Sequence, residues 1–252
     1  MLNMLEQTLS IQKRYAIPED AMRCSTCMLS DICLPFGMSS NDRAKLDDLV
    51  QERVRVAKGQ ALFQLEDEVN AIYALRSGCI KTQLEDAGGQ VQITGFMLPG
   101  ELIGMDGLLH NKHVSNAIAL EDSELCIMRL EDLDRISSQL PQLQQQLRRL
   151  MSKEINRSHH LIMNLGTLRS EQKLAAFLVN LSQRLGVLGY SPYEFVLRMS
   201  REEIGNFLGL TLETISRLFS RFSREGLLRI QQRNVLLLDL NALQELAGTD
   251  CA

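Results

Sequence analysis

The 252-residue chain has no long apolar run, and this argues against a membrane-spanning segment. Residues 1–20 lack a continuous apolar core and a small-residue cleavage site, so a secretion signal is not expected and a cytoplasmic protein is. In a reducing compartment its six cysteines should not be read as disulfides. No nucleophile–base–acid constellation and no phosphate-binding glycine loop is visible, so nothing points to an enzyme. The chain is not basic overall either, with 27 Lys and Arg against 31 Asp and Glu, a formal net charge of −4. What is left is a globular composition, 45% hydrophobic and 23% charged, at a length that suits two domains.

The charge is unevenly spread. Residues 1–168 carry a net −5 and residues 169–252 about +1. Between positions 213 and 233 five Arg outnumber two Glu. Local basicity in an acidic chain suggests a surface for a polyanion.

That basic stretch has internal order. Ser200 followed by Glu203 is a capping box, which predicts a helix from Arg201 with Ile204, Phe207 and Leu208 on one apolar face. Gly209 can take the left-handed conformation that stops it. Thr211 can cap a second helix, in which Ile215, Leu218, Phe219 and Phe222 recur at helical spacing. Two short helices around a glycine turn form a helix-turn-helix pattern, whose second helix would enter the major groove. Glu213, Ser216 and Arg217 lie on its early turns and suit cytosine, either partner and guanine respectively. Glu213 could also be a simple helix-start residue. Leu227–Ile230 and Val235–Leu238 flank a polar turn and predict a small hairpin, or wing.

Upstream, a long helix follows Pro141. Leu143, Leu147, Met151, Ile155, Ser158, Ile162 and Leu165 advance by three or four residues and form one face. The helix could pack on its own domain, or its stripe could meet itself across a two-fold axis. A groove-reading helix usually needs a dimer, which favours the seam. Glu154 would lie beside it, where two facing carboxylates would repel. Ser170 opens another amphipathic helix, through Leu185. Between Leu46 and Leu130 short apolar runs alternate with Lys58-Gly59, Ser77-Gly78, Gly88-Gly89 and Pro99-Gly100, the pattern of an antiparallel barrel or roll. His110 and His113 fall in an expected loop there and are read as solvated. Residues 1–23 are polar and expected to lack order.

The cysteines are the remaining signal. Cys24, Cys27 and Cys33 lie within ten residues; Cys79, Cys126 and Cys251 are scattered. Three clustered thiols point to a metal, and their closeness to one shared site. Zinc normally takes paired Cys-x-x-Cys units. A short uneven run plus one distant cysteine suits an iron–sulfur cluster better, though spacing alone leaves structural zinc open. Met28, Leu29, Ile32 and Leu34 could shield such a site from solvent or dock the segment on the next domain.

A cysteine-rich N-terminus, a roll of short strands, a long helix and a C-terminal winged helix-turn-helix together resemble the cyclic-AMP-receptor/FNR (CRP/FNR) superfamily. The FNR branch, the oxygen-responsive fumarate and nitrate reductase regulators, is the part it resembles over essentially the whole chain. The residues that carry the likeness are Cys24, Cys27, Cys33 and Cys126, Glu213-Thr-Ile-Ser216-Arg217, Tyr73 to Gly78, Leu174 to Phe177 and Ile204 to Thr211.

The resemblance implies an α+β protein. A cysteine-rich segment would occupy residues 1–45, an antiparallel β-roll of the cyclic-nucleotide-binding type 46–138, a dimerisation helix 139–168 and a winged helix-turn-helix 169–252. It implies Cys126 as the fourth ligand of one [4Fe–4S] cluster per subunit, with Cys79 as the rival and Cys251 unused. It implies a homodimer whose seam includes Leu147, Met151, Glu154, Ile155, Ser158 and Ile162. That dimer would bind double-stranded DNA at palindromic TTGAT-like sites without oxygen and act with RNA polymerase, oxygen converting the cluster and dissolving the dimer. The loops 85–90 and 111–112 are candidate polymerase contacts. A cyclic nucleotide is not expected: ungapped from Pro99-Gly100, Met105 stands where that branch has its ribose-binding Glu, and Ser115-Asn116 where it has Arg-Ser. A cyclic-nucleotide-type or zinc-structured regulator, or an iron–sulfur electron carrier, is the alternative.

Overall fold

The computed structural model describes residues 13–17 and 23–248. The chain divides into two compact units, Met1–Gln90 with Phe96–Met151, and Val91–Gly95 with Ser152–Ala252.

In the first stretch of chain the elements are β1 (Lys13–Ala16), α1 (Ser40–Lys45), β2 (Glu52–Val56), β3 (Ala61–Phe63), β4 (Ala71–Ser77), β5 (Ile80–Glu85), β6 (Val91–Met97), β7 (Leu102–Ile103), β8 (Asn116–Ala119), β9 (Ser123–Arg129), α2 (Leu130–Gln139) and α3 (Pro141–Thr167). The strands form a five-stranded sheet in the order β1-β2-β9-β4-β7 and a four-stranded sheet in the order β3-β8-β5-β6. Every described pairing is antiparallel. The predicted roll is therefore present.

Alternation along the strands sorts the side chains, because neighbours on a strand face opposite ways. Val54, Val56, Tyr73, Leu75, Leu125 and Ile127 face into the roll and join Phe63, Ile80, Ala117 and Ala119 in one core. The intervening residues face outward. Ile72, Ala74 and Met128 are covered there by a second core, made with Leu34, Met38, Leu46, Leu49, Leu133, Ile136, Leu140 and Leu143. The outer face of the larger sheet is thus roofed by the cysteine segment, the turn after α1, α2 and the root of α3.

The later elements are α4 (Ser170–Val187), β10 (Glu194–Val196), α5 (Arg201–Leu208), α6 (Leu212–Arg224), β11 (Leu228–Gln231), β12 (Asn234–Leu237) and α7 (Leu240–Ala247). The capping box forms as the sequence predicts: Glu203 N–H donates to Ser200 Oγ at 3.1 Å and Ser200 N–H to Glu203 Oε2 at 2.8 Å. Gly209 ends α5 at φ 63°. Thr211 caps α6, accepting from Thr214 N–H at 3.2 Å. Gly205 is needed for close approach: a Cβ there would lie 2.7 Å from the Leu210 carbonyl oxygen. Ile204, Leu208, Ile215, Leu218, Phe219 and Phe222 are buried between the two helices and the sheet. β11 and β12 pair in register through Ile230↔Val235, with Gln232 and Arg233 at the turn.

Some elements differ from expectation. Lys13–Ala16, within a stretch expected to lack order, forms β1 by pairing with β2. The helices α2 and α7 and the strand β10, which makes the wing sheet three-stranded, had no clear sequence signal. His113 is not solvated: it is 2% exposed, stacked on Phe63 with ring centroids 3.5 Å apart, and its Nδ1 lies 3.1 Å from Asp106. The expectation for Cys251 lies outside the described residues.

Candidate functional site

The described thiols converge. Cys24, Cys27, Cys33 and Cys126 line one pocket, with Arg23, Arg53, Arg76, Leu34, Ala74 and Met128 among its other walls. Cys79, which is fully buried where the other four are half-buried, is not among the lining residues.

Two side chains shape the cysteine segment. Asp47, in the turn after α1, accepts from the Ser25 N–H at 2.9 Å and the Ser25 hydroxyl at 2.6 Å, which fixes the turn carrying Cys24 and Cys27. Arg43 on α1 donates to Ser30 Oγ at 2.9 Å, Asp31 Oδ1 at 3.0 Å and the Met38 carbonyl at 3.1 Å, which fixes the loop carrying Cys33. The segment is also tied to the root of α3: Gln146, buried, donates to the Cys33 carbonyl at 3.4 Å, and the Arg149 guanidinium sits 4.3 Å over the Phe36 ring. Ile32 packs at Gly100, and Leu34 enters the outer core. Met28 does not shield anything in this chain, being 85% exposed.

Cys126 reaches the cavity through the alternation of β9. Leu125 and Ile127 face the roll, so Cys126 faces out, opposite Arg53 on β2 and Ala74 on β4. Burial pushes its thiol up, while the charge and hydrogen bond of Arg53 pull it back. Burial pushes Cys33 up to about 12, with the charges of Cys126 and Cys27 adding to it. Cys24 is raised further, by burial first and then by Cys126, Cys33 and Asp47. Cys24, Cys33 and Cys126 each therefore feel at least one other cysteine of the pocket.

These residues fit an iron–sulfur cluster. The donors are soft thiols, apolar side chains make up much of the wall, and Arg53 and Arg76 flank them. Among the described residues no three His, Cys, Asp or Glu side chains are assembled to hold a single metal ion. A cubane takes one thiolate at each corner iron.

The loop corresponding to a nucleotide-phosphate cassette is filled from within. Asp106 accepts from the Val114 N–H at 3.1 Å and the Ser115 hydroxyl at 2.7 Å, besides its contact with His113. Burial raises its carboxyl, but these hydrogen bonds outweigh burial and hold it below the usual carboxylate range.

On α6, Glu213 and Arg217 are exposed and Ser216 half-exposed, on the side away from Ile215 and Phe219. Arg217 Nε reaches the Glu213 carbonyl at 3.4 Å. The Glu213 carboxyl is lowered by backbone hydrogen bonding at the helix start and by Thr211. Arg233 in the wing turn donates to the Arg198 carbonyl at 3.3 Å. On α3, Leu143 is buried and Leu147 packs on the outer core. Further along, Ile155 is 56% and Ile162 67% exposed, with Met151 and Ser158 exposed and Glu154 half-exposed. Glu154 lies 3.9 Å from Arg157 of its own helix.

Sequence reasoning missed Arg43, Asp47, Arg53, Arg76 and Glu124. The one available signal was the alternation Glu124–Cys126–Met128, which puts these three on one face.

A β-roll followed by a winged helix-turn-helix defines the chain as a DNA-binding transcription regulator rather than an enzyme. Residues 53–139 match the cyclic nucleotide-binding domain model, and residues 172–246 match the Crp-like helix-turn-helix domain model. The chain is 61% identical over 240 residues to the transcriptional regulatory protein btr of Bordetella pertussis, covering 95% of this chain and 99% of that one. It is 42% identical over 228 residues to the fumarate and nitrate reduction regulatory protein of Escherichia coli K12, covering 90% and 91%. Among solved structures, FixK2 from Bradyrhizobium japonicum superposes with a TM-score of 0.71 at 25% identity, covering 78% of this chain and 96% of that one. The chain belongs to the fumarate and nitrate reduction regulator (FNR) branch of the CRP/FNR superfamily. No described helix is long and apolar enough to cross a membrane.

Proposed function

We propose that this chain is an oxygen-responsive cytoplasmic regulator of genes for anaerobic metabolism, with Cys24, Cys27, Cys33 and Cys126 holding one [4Fe–4S] cluster per subunit. The observation that carries this reading is the convergence of four thiols, three from one loop and one from β9, on a single cavity. When bound, the cluster would supply iron chemistry that reacts with oxygen.

The chain's own residues supply the rest. Asp47 and Arg43 hold the loop, and Gln146 and Arg149 join it to α3, so the order of the loop bears on the order of the helix root. The exposed apolar stripe of Met151, Ile155 and Ile162, continuing from Leu147 past Glu154 and Ser158, suits a homodimer seam. Two copies of α6 would then read palindromic TTGAT-like DNA, with Arg217 on a guanine, Glu213 on a cytosine and Ser216 in support. RNA polymerase is the partner on DNA. The self-filled Asp106 loop speaks against a cyclic nucleotide, since its donors are already engaged and no Arg replaces Ser115.

The test is a binding titration of the anaerobically prepared protein on a palindromic duplex, repeated after exposure to air. Affinity should fall on the order of a hundredfold, as a loss of about 3 kcal/mol in dimer free energy implies. Equal affinity in both states would reject oxygen response.

A further inference from the structure

One face of the five-stranded sheet carries a charged row that adjoins the thiols. Pairing sets Tyr15 opposite Arg53, Arg53 opposite Cys126, and Cys126 opposite Ala74. Side chains directly opposite one another share a face and touch. Glu124, two positions from Cys126 on β9, shares that face. It accepts from Arg76 at 2.5 Å and from the Tyr15 hydroxyl, and lies 3.5 Å from Arg55 and 3.9 Å from Arg53. Arg53 and Arg76 both line the cavity of the four cysteines, and Arg53 is only 6% exposed.

Three guanidiniums share the Glu124 carboxylate; Arg55 is 69% exposed and solvated, while Arg53 and Arg76 are sheltered beside the thiols. Sheltered cations are stabilised by negative charge placed against them. Four thiolates on a 2+ cluster carry a net −2, and they would face these cations from the Cys126 side.

We propose that Arg53 and Arg76, held by Glu124, are positioning residues that place compensating positive charge against the Cys126 side of the cluster and so set its retention and its reduction potential. The proposal rests on the four-cysteine reading above. The physical basis is Coulombic. A cation stabilises the more negative, reduced state of a cluster, and it stabilises the bound cluster against loss. Glu124 acts in the opposite sense by its own charge, while orienting both arginines.

The test begins with the wild-type full-length protein, loaded anaerobically and analysed for iron and sulfide. Arg53→Met keeps bulk and removes charge, Arg53→Lys keeps charge, Arg76→Met removes the second cation, and Glu124→Gln keeps hydrogen bonding while removing the negative charge. Two quantities are read without oxygen: the cluster's midpoint potential by spectroelectrochemical titration, and the rate of iron release to a chelator. Both Met variants should release iron about tenfold faster. Their potentials should move negative, by about 59 mV for each tenfold change in the equilibrium. Arg53→Lys should stay near wild type, and Glu124→Gln should move positive. A general loosening of the site would shift Arg53→Met and Glu124→Gln in the same direction; that result, or unchanged potentials in fully loaded Met variants, overturns the proposal. If Arg53→Met fails to fold, Arg76→Met, whose side chain is 24% exposed, decides the matter with Glu124→Gln. A wild-type chain that takes up no iron and sulfide overturns the four-cysteine reading itself, and this inference with it.

Discussion

Asp106 shows what a single side chain can do in this fold. It gathers the Val114 amide, the Ser115 hydroxyl and the buried His113 ring, and Phe63 caps the group from β3. Removing it with Asp106→Ala leaves those donors short of an acceptor, which should cost about 1–3 kcal/mol at neutral pH. The folded carboxyl titrates below its unfolded value, so its contribution is fully present above the unfolded value and is lost as pH falls through the folded one. The wild-type and variant curves in denaturant should therefore lie apart at pH 7 and begin to draw together only as pH falls below about 4, towards the folded value. A gap that is the same at both pH values would show that the carboxylate charge is not what matters. Residue identity was only partly legible at this scale. The tight run Cys24–Cys27–Cys33 announces itself. The burial of His113 does not, because it depends on Phe63, a residue fifty positions earlier that meets it only once the roll has closed. The same holds for Arg43 and Asp47, which look like ordinary surface charges until the loop folds back on α1.

Among the elements, the helix-turn-helix was the most legible because all its signals are local. The Ser200–Glu203 box, Gly209 and Thr211 each fix one boundary within a turn of themselves. β1 is the contrary case: four residues become a strand through their partner β2, and nothing in Lys13–Ala16 says so. For α6, Arg217→Ala should lose roughly 1–3 kcal/mol on the specific DNA site and much less on random DNA. Anaerobic titrations on both duplexes measure this; an equal loss on both would make Arg217 a phosphate anchor instead. For α3, Glu154→Ala should strengthen association of the cluster-free protein by on the order of 1 kcal/mol or less, since Arg157 already offsets part of the repulsion. Sedimentation in air reads the monomer fraction, and an unchanged fraction would place Glu154 away from the two-fold axis.

For the molecule as a whole, the order of parts was readable from the sequence, while the meeting of the loop cysteines with Cys126 followed only from the family resemblance and not from spacing. The loop of Cys24–Cys33 and the strand of Cys126 come together because β9 lies at the middle of the larger sheet, with its outward positions roofed by the segment that precedes the roll. The spacing of the three loop cysteines left zinc open, and metal analysis distinguishes it from a cluster. The most direct test is iron and sulfide analysis, with an absorption spectrum, of the anaerobically purified protein and its single Cys→Ser variants. The account predicts about four irons and four sulfides per chain in the wild type and in Cys79→Ser, and loss of loading in Cys24→Ser, Cys27→Ser, Cys33→Ser and Cys126→Ser. Full loading in Cys126→Ser, or one zinc per chain in place of iron and sulfide, would contradict it.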